Sequence, residues 1–228
     1  LTTSSAASDV YKRQEQAFNP PCQQIEDAIN LEDLPIIKCW PGDGGRFITM
    51  GLTITESPIN GKSNMGMYRL QMHEKDKLGM HWHPHKGGAT HYHEAKQLGQ
   101  TFPAAIVLGG DPSLIFAAIA PLPENINELL FSAFLKRKPI TLCKAKTSNL
   151  RVPANAEFII EGTVPLDKTM LEGPFGDHFG YYSMEGNFPY MNVKAITRKH
   201  NAIFPATVVG RPPNCLLYTS PSPRDPIG

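Results

Sequence analysis

Two short strings concentrate the residue types that do chemistry. The first, HWHPHKGGATHYH, holds five of the eight histidines: His81, His83, His85, His91 and His93. Alternation places the first three on one face of a strand, and imidazole is the commonest metal ligand, so the spacing points to a metal site. The competing reading is a row of half-exposed strand residues packing against Trp82 and Tyr92. Pro84 interrupts the ladder, so His85 is expected to point elsewhere. Lys86, Gly87 and Gly88 then supply a cation and flexible backbone N–H groups suited to a phosphate.

The second string, LEGPFGDHFGYY, sets Glu172 and Asp177 five residues apart across Gly173, Pro174, Phe175 and Gly176. A proline and two glycines forbid a continuous helix, so the pair sits on a loop that can turn both carboxylates toward one cavity. Neighbouring carboxyls push their pKa values apart, leaving one as acid and one as base. A glycine-rich turn merely stabilised by its aspartate is the plainer alternative. Glu128 lies opposite the apolar stripe of its helix, where spacing alone predicts a solvated glutamate.

The elements that must carry these residues read as mostly β between about 30 and 213. The segment 46–56, RFITMGLTITE, is rich in Ile, Thr and Leu, and ESPINGKSN after it is a run of turn formers. Segments 66–73 and 78–85 bracket the polar EKDK as a hairpin. Further strands are expected over 104–108, 140–145, 156–162, 190–198 and 202–209. Two helices interrupt them, one over 111–119 behind an Asp-Pro start signal and one near 124–136 with Ile126, Leu129, Leu130, Ala133 and Phe134 at helical spacing. The fold class expected is mainly β with helical excursions, as a barrel or sandwich.

Composition agrees. The 228 residues carry 22 basic and 21 acidic side chains, a formal net charge of +1, which argues against nucleic-acid binding. With 19 glycines and 21 prolines, short strands and turns are favoured over a helical bundle. No apolar run approaches the roughly 18 residues of a membrane helix. Cys22, Cys39, Cys143 and Cys215 form no Cys-x-x-Cys pair, so incidental thiols of a cytoplasmic protein are expected. No basic stretch followed by an apolar one opens the chain, so no secretory signal is expected. The end segments 1–14 and 214–228 lack periodicity and read as non-native terminal sequence, which would make the chain an internal piece.

PCQQI, LPIIKCWPGDGGRFITMGLTIT, SNMGMYRLQ, GMHWHPHKGGATHY, LGGDPS, APLPENINELLF, VPANAEFIIEGTV, LEGPFGDHFGYY and VVGRPP follow one another in the order and spacing of the UbiD family of prenylated-flavin-dependent decarboxylases, which the chain therefore resembles over nearly all of 21–213. The resemblance implies a split β-barrel, flavin-reductase-like FMN-binding domain over 46–213, with 15–45 as the end of a preceding region. It implies prenylated FMN and a divalent ion, usually Mn2+, with K+ as a further ion. Asn64, His85 and Glu128 stand at the family's metal positions. Met67, Tyr68, Arg69, His81, Trp82, His83, Lys86 and Gly87 stand in the segments that wrap the flavin.

Arg69, Glu172 and Asp177 match the family's Glu-Arg-acid network, with an aspartate where some members have glutamate. The implied reaction is loss of CO2 from an aromatic or unsaturated acid, with the flavin as electron sink, Asp177 as proton donor, Glu172 holding its proton inventory and Arg69 orienting the pair. Ubiquinone or menaquinone biosynthesis is the implied setting, and HWHPHK is closer to the menaquinone-pathway enzymes. The implied partners are a small aromatic acid and a flavin prenyltransferase, with a homo-oligomer at full length, no nucleic acid, and contact with the inner membrane only through a lipophilic substrate. A cupin-like metal oxygenase using the histidines and a non-catalytic flavin-binding module are the competing functions.

Overall fold

The computed structural model describes residues 19–83, 87–123 and 126–210. Ten strands and three helices run in the order β1 (Ile25–Asp27), β2 (Arg46–Glu56), β3 (Ser63–Glu74), β4 (Lys77–Gly79), α1 (Gly87–Leu98), β5 (Phe102–Leu108), α2 (Pro112–Ile119), α3 (Glu128–Lys136), β6 (Leu142–Lys144), β7 (Arg151–Pro153), β8 (Phe158–Val164), β9 (Thr169–Glu172) and β10 (Gly186–Arg198). Strands pair antiparallel in the order β10-β4-β3-β2-β5-β8, and β8 pairs again with β10, closing a six-stranded barrel. The mainly β barrel with helical excursions is therefore the fold.

The long β10 makes closure possible. Its first residues pair with β9, the middle with β4, and its second half with β8 and β1. Residues 25–27 thus join the sheet, which extends the barrel into the segment 15–45 expected to precede it. A bulge between Ile48 and Gly51 shifts the alternation of β2. Ile48 packs in the barrel interior with Leu70, Ile106, Ile160 and Met191, while Leu52 and Ile54 face the outer layer of α2, α3 and the β6–β7 hairpin. Helix α1 is tied to the barrel by His91 Nδ1 to Thr55 Oγ1 at 3.0 Å and by the Tyr92 hydroxyl, which donates to the carbonyls of Pro165 and Leu166.

Three expected elements differ. The strand predicted over 78–85 stops at Gly79, because Met80 N donates to Pro189 O and Trp82 N turns back to Met80 O; residues 84–86 lie outside the described residues. Helix α1 stands over GGATHYHEAKQL, where no helix was expected. The predicted strand over 202–209 is extended without a ladder: Pro205 lacks a donor, and the segment's bonds run instead from Ile203 N to Glu157 and from Thr207 N to Thr49 Oγ1. The terminal segments 1–14 and 214–228 lie outside the described residues. No described helix is long and apolar enough to cross a membrane. Among the described cysteines all three are free, with Cys22 and Cys143 buried 3.6 Å apart.

Candidate active site

Strand alternation puts Arg69, Gln71 and His73 of β3 on one face, and this face grips the end of β9. Glu172, the last residue of β9, has a fully buried side chain (0% exposed). Its Oε1 accepts from Arg69 Nε at 3.0 Å, and His81 Nδ1 approaches the same oxygen at 2.8 Å. The His81 approach lacks the alignment of a hydrogen bond. Glu172 Oε2 is buried with no hydrogen-bond partner among the described residues. Arg69 also donates to Ser183 Oγ at 3.3 Å and lies over the Phe175 ring at 4.8 Å. His81 stacks on Phe188 with centroids 4.3 Å apart and meets His83 edge-on. Beside them, burial pushes the His73 imidazole below its usual pKa, against the opposing pull of Glu172 and Glu74.

Gly173 follows Glu172 at φ +102°, a conformation that L side chains rarely adopt, and its N–H donates to Gln71 Oε1 at 2.8 Å. The chain then passes Gly44 so closely that a Cβ there would stand 1.8 Å from Gly173 O. The buried Asp43 holds both sides, accepting from Gly176 N and Trp40 N at 2.8 Å each. Asp177 emerges beside a cavity of about 170 Å³ lined by Trp40, Gly176, Gly180, Tyr181, Tyr182 and Gly210. Its Oδ1 accepts from His178 N at 2.7 Å and lies 2.5 Å from His178 Nδ1. No hydrogen bond joins Asp177 to Glu172 among the described residues. Glu172 ends β9, so only Asp177 lies on the loop expected to turn both carboxylates toward one cavity, and each carboxyl is held by its own partners.

A second group forms where α3 meets β3. Asn127 caps α3, its Oδ1 accepting from Leu129 N and Leu130 N while its Nδ2 donates to Ser63 O at 3.0 Å. The cap delivers Glu128 to β3, where Oε2 accepts from Met65 N at 3.1 Å, next to Asn64. Glu128 is thus half-buried rather than the solvated residue its helical position predicted. Burial raises its pKa, opposed by hydrogen bonds from its own N–H and that of Met65. Asn64 Oδ1 rests against the first turn of α1, since a Cβ on Gly87 would lie 2.1 Å from it. Removing this cap is expected to cost about 1 kcal/mol. A urea melt of Asn127→Ala should show that loss, and an unchanged midpoint would mean the helix start is held by packing alone.

The donor set fits the implied groups. Asn64 and Glu128 offer oxygens suited to a hard divalent ion, and a buried carboxylate left without a cation is costly to ionise. Asn64 Nδ2 and Trp82 Nε1 are buried without hydrogen-bond partners among the described residues, and both flank the Gly87-Gly88 start of α1, where backbone N–H groups favour phosphate. His85 and Lys86 lie outside the described residues. Tyr68 is buried in the barrel core, and its hydroxyl is raised by burial. Trp82 packs against Tyr92 and Phe102, and Met67 is half-buried against the outer cluster.

Among the described residues the strand-borne histidine row is not formed. His81 and His83 follow the end of β4, His91 and His93 lie on α1, and His91 is spent on Thr55. Among the described residues no three His, Cys, Asp or Glu side chains are arranged to hold a metal. Sequence reasoning missed Asp43, Gln71, His73, Phe175 and Ser183 as supports of the site. Only the alternation of Gln71 and His73 with Arg69 on β3 signalled any of them.

Residues 13–212 match the family model described as UbiD, 3-octaprenyl-4-hydroxybenzoate carboxy-lyase Rift-related domain, and the chain belongs to this family. A protein of Aquifex aeolicus is 50% identical over 186 residues, covering 81% of this chain and 38% of the relative. Among solved structures, the UbiD-class enzyme HmfF from Pelotomaculum thermopropionicum in complex with FMN superposes with a TM-score of 0.81 at 26% identity, covering 90% of this chain and 48% of that one. The closed form of vanillic acid decarboxylase from Sedimentibacter hydroxybenzoicus gives 0.82 at 27%, covering 92% and 48%. The chain thus spans about half the length of the solved enzymes it matches and less of the Aquifex protein.

Proposed function

We propose that this chain is the cofactor-binding part of a carboxy-lyase that uses prenylated FMN and a divalent metal to remove CO2 from an aromatic or unsaturated acid, with quinone biosynthesis as its setting. The observation that carries the reading is the fully buried Glu172 held between Arg69 and His81 at the root of the Asp177 loop. Relatives described as complexes with FMN and with prenylated FMN, and as a decarboxylase of vanillic acid, support it. When bound, the flavin supplies the electron sink that no side chain provides.

The chain's own residues bind, orient and deliver a proton. Asn64 and Glu128, with His85, would hold the divalent metal, which would supply positive charge for the cofactor phosphate, and the Gly87-Gly88 start of α1 would offer it backbone N–H groups. Arg69 cannot lose its charge, so with His81 it fixes Glu172 as the rigid side of the site. Asp177 is the side chain that gives the reacting carbon its proton. The test is to produce the whole gene product together with a flavin prenyltransferase, record its absorbance, and measure CO2 release from a panel of aromatic acids. Flavin-loaded protein that releases CO2 from none of them would refute the reading.

The metal assignment makes its own prediction. Altering a partner that only orients a metal ligand costs roughly 10–100-fold in affinity, and a direct ligand costs at least as much. Glu128→Gln should therefore lower manganese and flavin content together in the purified protein. Metal content equal to wild type would remove Glu128 from the ligand set.

A further inference from the structure

Glu172 and Asp177 differ in access to water, and that difference decides where a proton can come from. Glu172 is sealed, with 0% of its side chain exposed and both described partners basic. Asp177 and His178 are 36% and 31% exposed. Their loop is closed by backbone bonds from Asp177 N to Tyr181 O and from Gly180 N to Asp177 O. The His178 ring stacks on Phe179 with centroids 4.0 Å apart, which turns its Nδ1 to Asp177 Oδ1 at 2.5 Å. A carboxylate has no hydrogen to give, so the arrangement in which it accepts puts the hydrogen on Nδ1 and leaves Nε2 as the ring's accepting nitrogen.

We propose that His178 resupplies Asp177 with protons from solvent, so that the proton inventory is kept on His178 and not on Glu172. The inference rests on the reading of Asp177 as proton donor. In each turnover Nε2 takes one proton from water, the Nδ1–H bond breaks as an O–H bond forms on Asp177, and Asp177 passes its proton to the carbon that lost CO2. One solvent proton is consumed, the hydroxide it leaves combines with the released CO2 as bicarbonate, and the ring regains its Nδ1 hydrogen from water as its Nε2 proton returns to water. His178 acts through Asp177 and touches no reacting atom, so it is a positioning and relay residue. Tyr181 and Tyr182 are the titratable groups that line the cavity together with Asp177 among the described residues.

The test uses the whole gene product loaded with flavin. His178→Ala should lower turnover about 10- to 100-fold, at the lower edge of general acid–base effects, with flavin absorbance unchanged. Added imidazole should restore the rate in proportion to its concentration, which a merely structural role would not allow. In wild-type protein, two-bond proton–nitrogen spectra should show the His178 hydrogen on Nδ1, and Asp177→Ala, which removes the accepting oxygen, should move it. This readout needs no turnover and no folded His178 variant. A His178→Ala rate within about threefold of wild type, a loss in folded protein that imidazole does not restore, or a wild-type ring carrying its hydrogen on Nε2 would each overturn the relay. Absence of CO2 release from wild type would instead overturn the decarboxylase reading on which the relay rests, even with the Nδ1 signal present.

Discussion

Arg69→Met is expected to cost about 3–5 kcal/mol of folding stability, because it strips a fully buried carboxylate of its principal partner. Glu172 Oε1 receives the Arg69 hydrogen bond at 3.0 Å, and Oε2 has no partner among the described residues. His81 would remain, but its contact lacks hydrogen-bond alignment. The guanidinium also fills space over Phe175 and bonds Ser183, so the loop that carries Asp177 would loosen as well. Replacing both partners, as in Arg69→Met with Glu172→Met, should cost less than the single change, because no unpaired charge is then buried. Urea titration of the three variants at constant m-value is the measurement. A loss under about 1 kcal/mol for Arg69→Met would place the pair among solvated surface bridges.

The barrel was legible where one level of pattern sufficed. The β2–β3 hairpin, β5, β8 and β10 follow from β-branched runs between turn formers, and α2 and α3 from capping signals and apolar spacing. Helix α1 was not, because its sequence opens with two glycines and continues through Thr and His, all weak helix formers. The alternating histidines before it imitate a strand. Its helical signal is the spacing of Ala89, Tyr92 and Ala95, all buried, and it is short enough to be overridden by the stronger period of two. The segment 202–209 fails for the opposite reason: its composition suits a strand, but no neighbour offers a ladder.

The site was legible in its residue types and not in its pairings. Glu172 and Asp177 stand out by spacing, yet their partners come from β3, the segment after β4 and the next residue in the chain. The meeting of Glu128 with β3 spans 63 positions and needs the Asn127 cap, which no local pattern connects to Asn64. Family resemblance supplied those positions before geometry did. What geometry adds is the division of labour, since His81 serves Glu172 while His178 serves Asp177.

That division sharpens the second large effect. In the flavin-loaded whole gene product, Asp177→Asn is expected to lower decarboxylation by about 10²-fold or more, the usual size for lost general acid catalysis, while leaving flavin and metal content near wild type. Asparagine matches aspartate in shape and keeps an oxygen that can accept from His178 N, so the turn closed by Tyr181 and Gly180 should persist. The amide cannot carry the acidic proton, and Glu172 cannot easily replace it, because burial seals it from water and its Oε1 is already committed to Arg69. Solvent deuterium then reports the path: incorporation at the former carboxyl carbon should slow in step with CO2 release. An Asp177→Asn enzyme that binds cofactor normally, turns over near the wild-type rate and still places deuterium in the product would move the acid to Glu172, and would remove the reason for His178 to sit where it does.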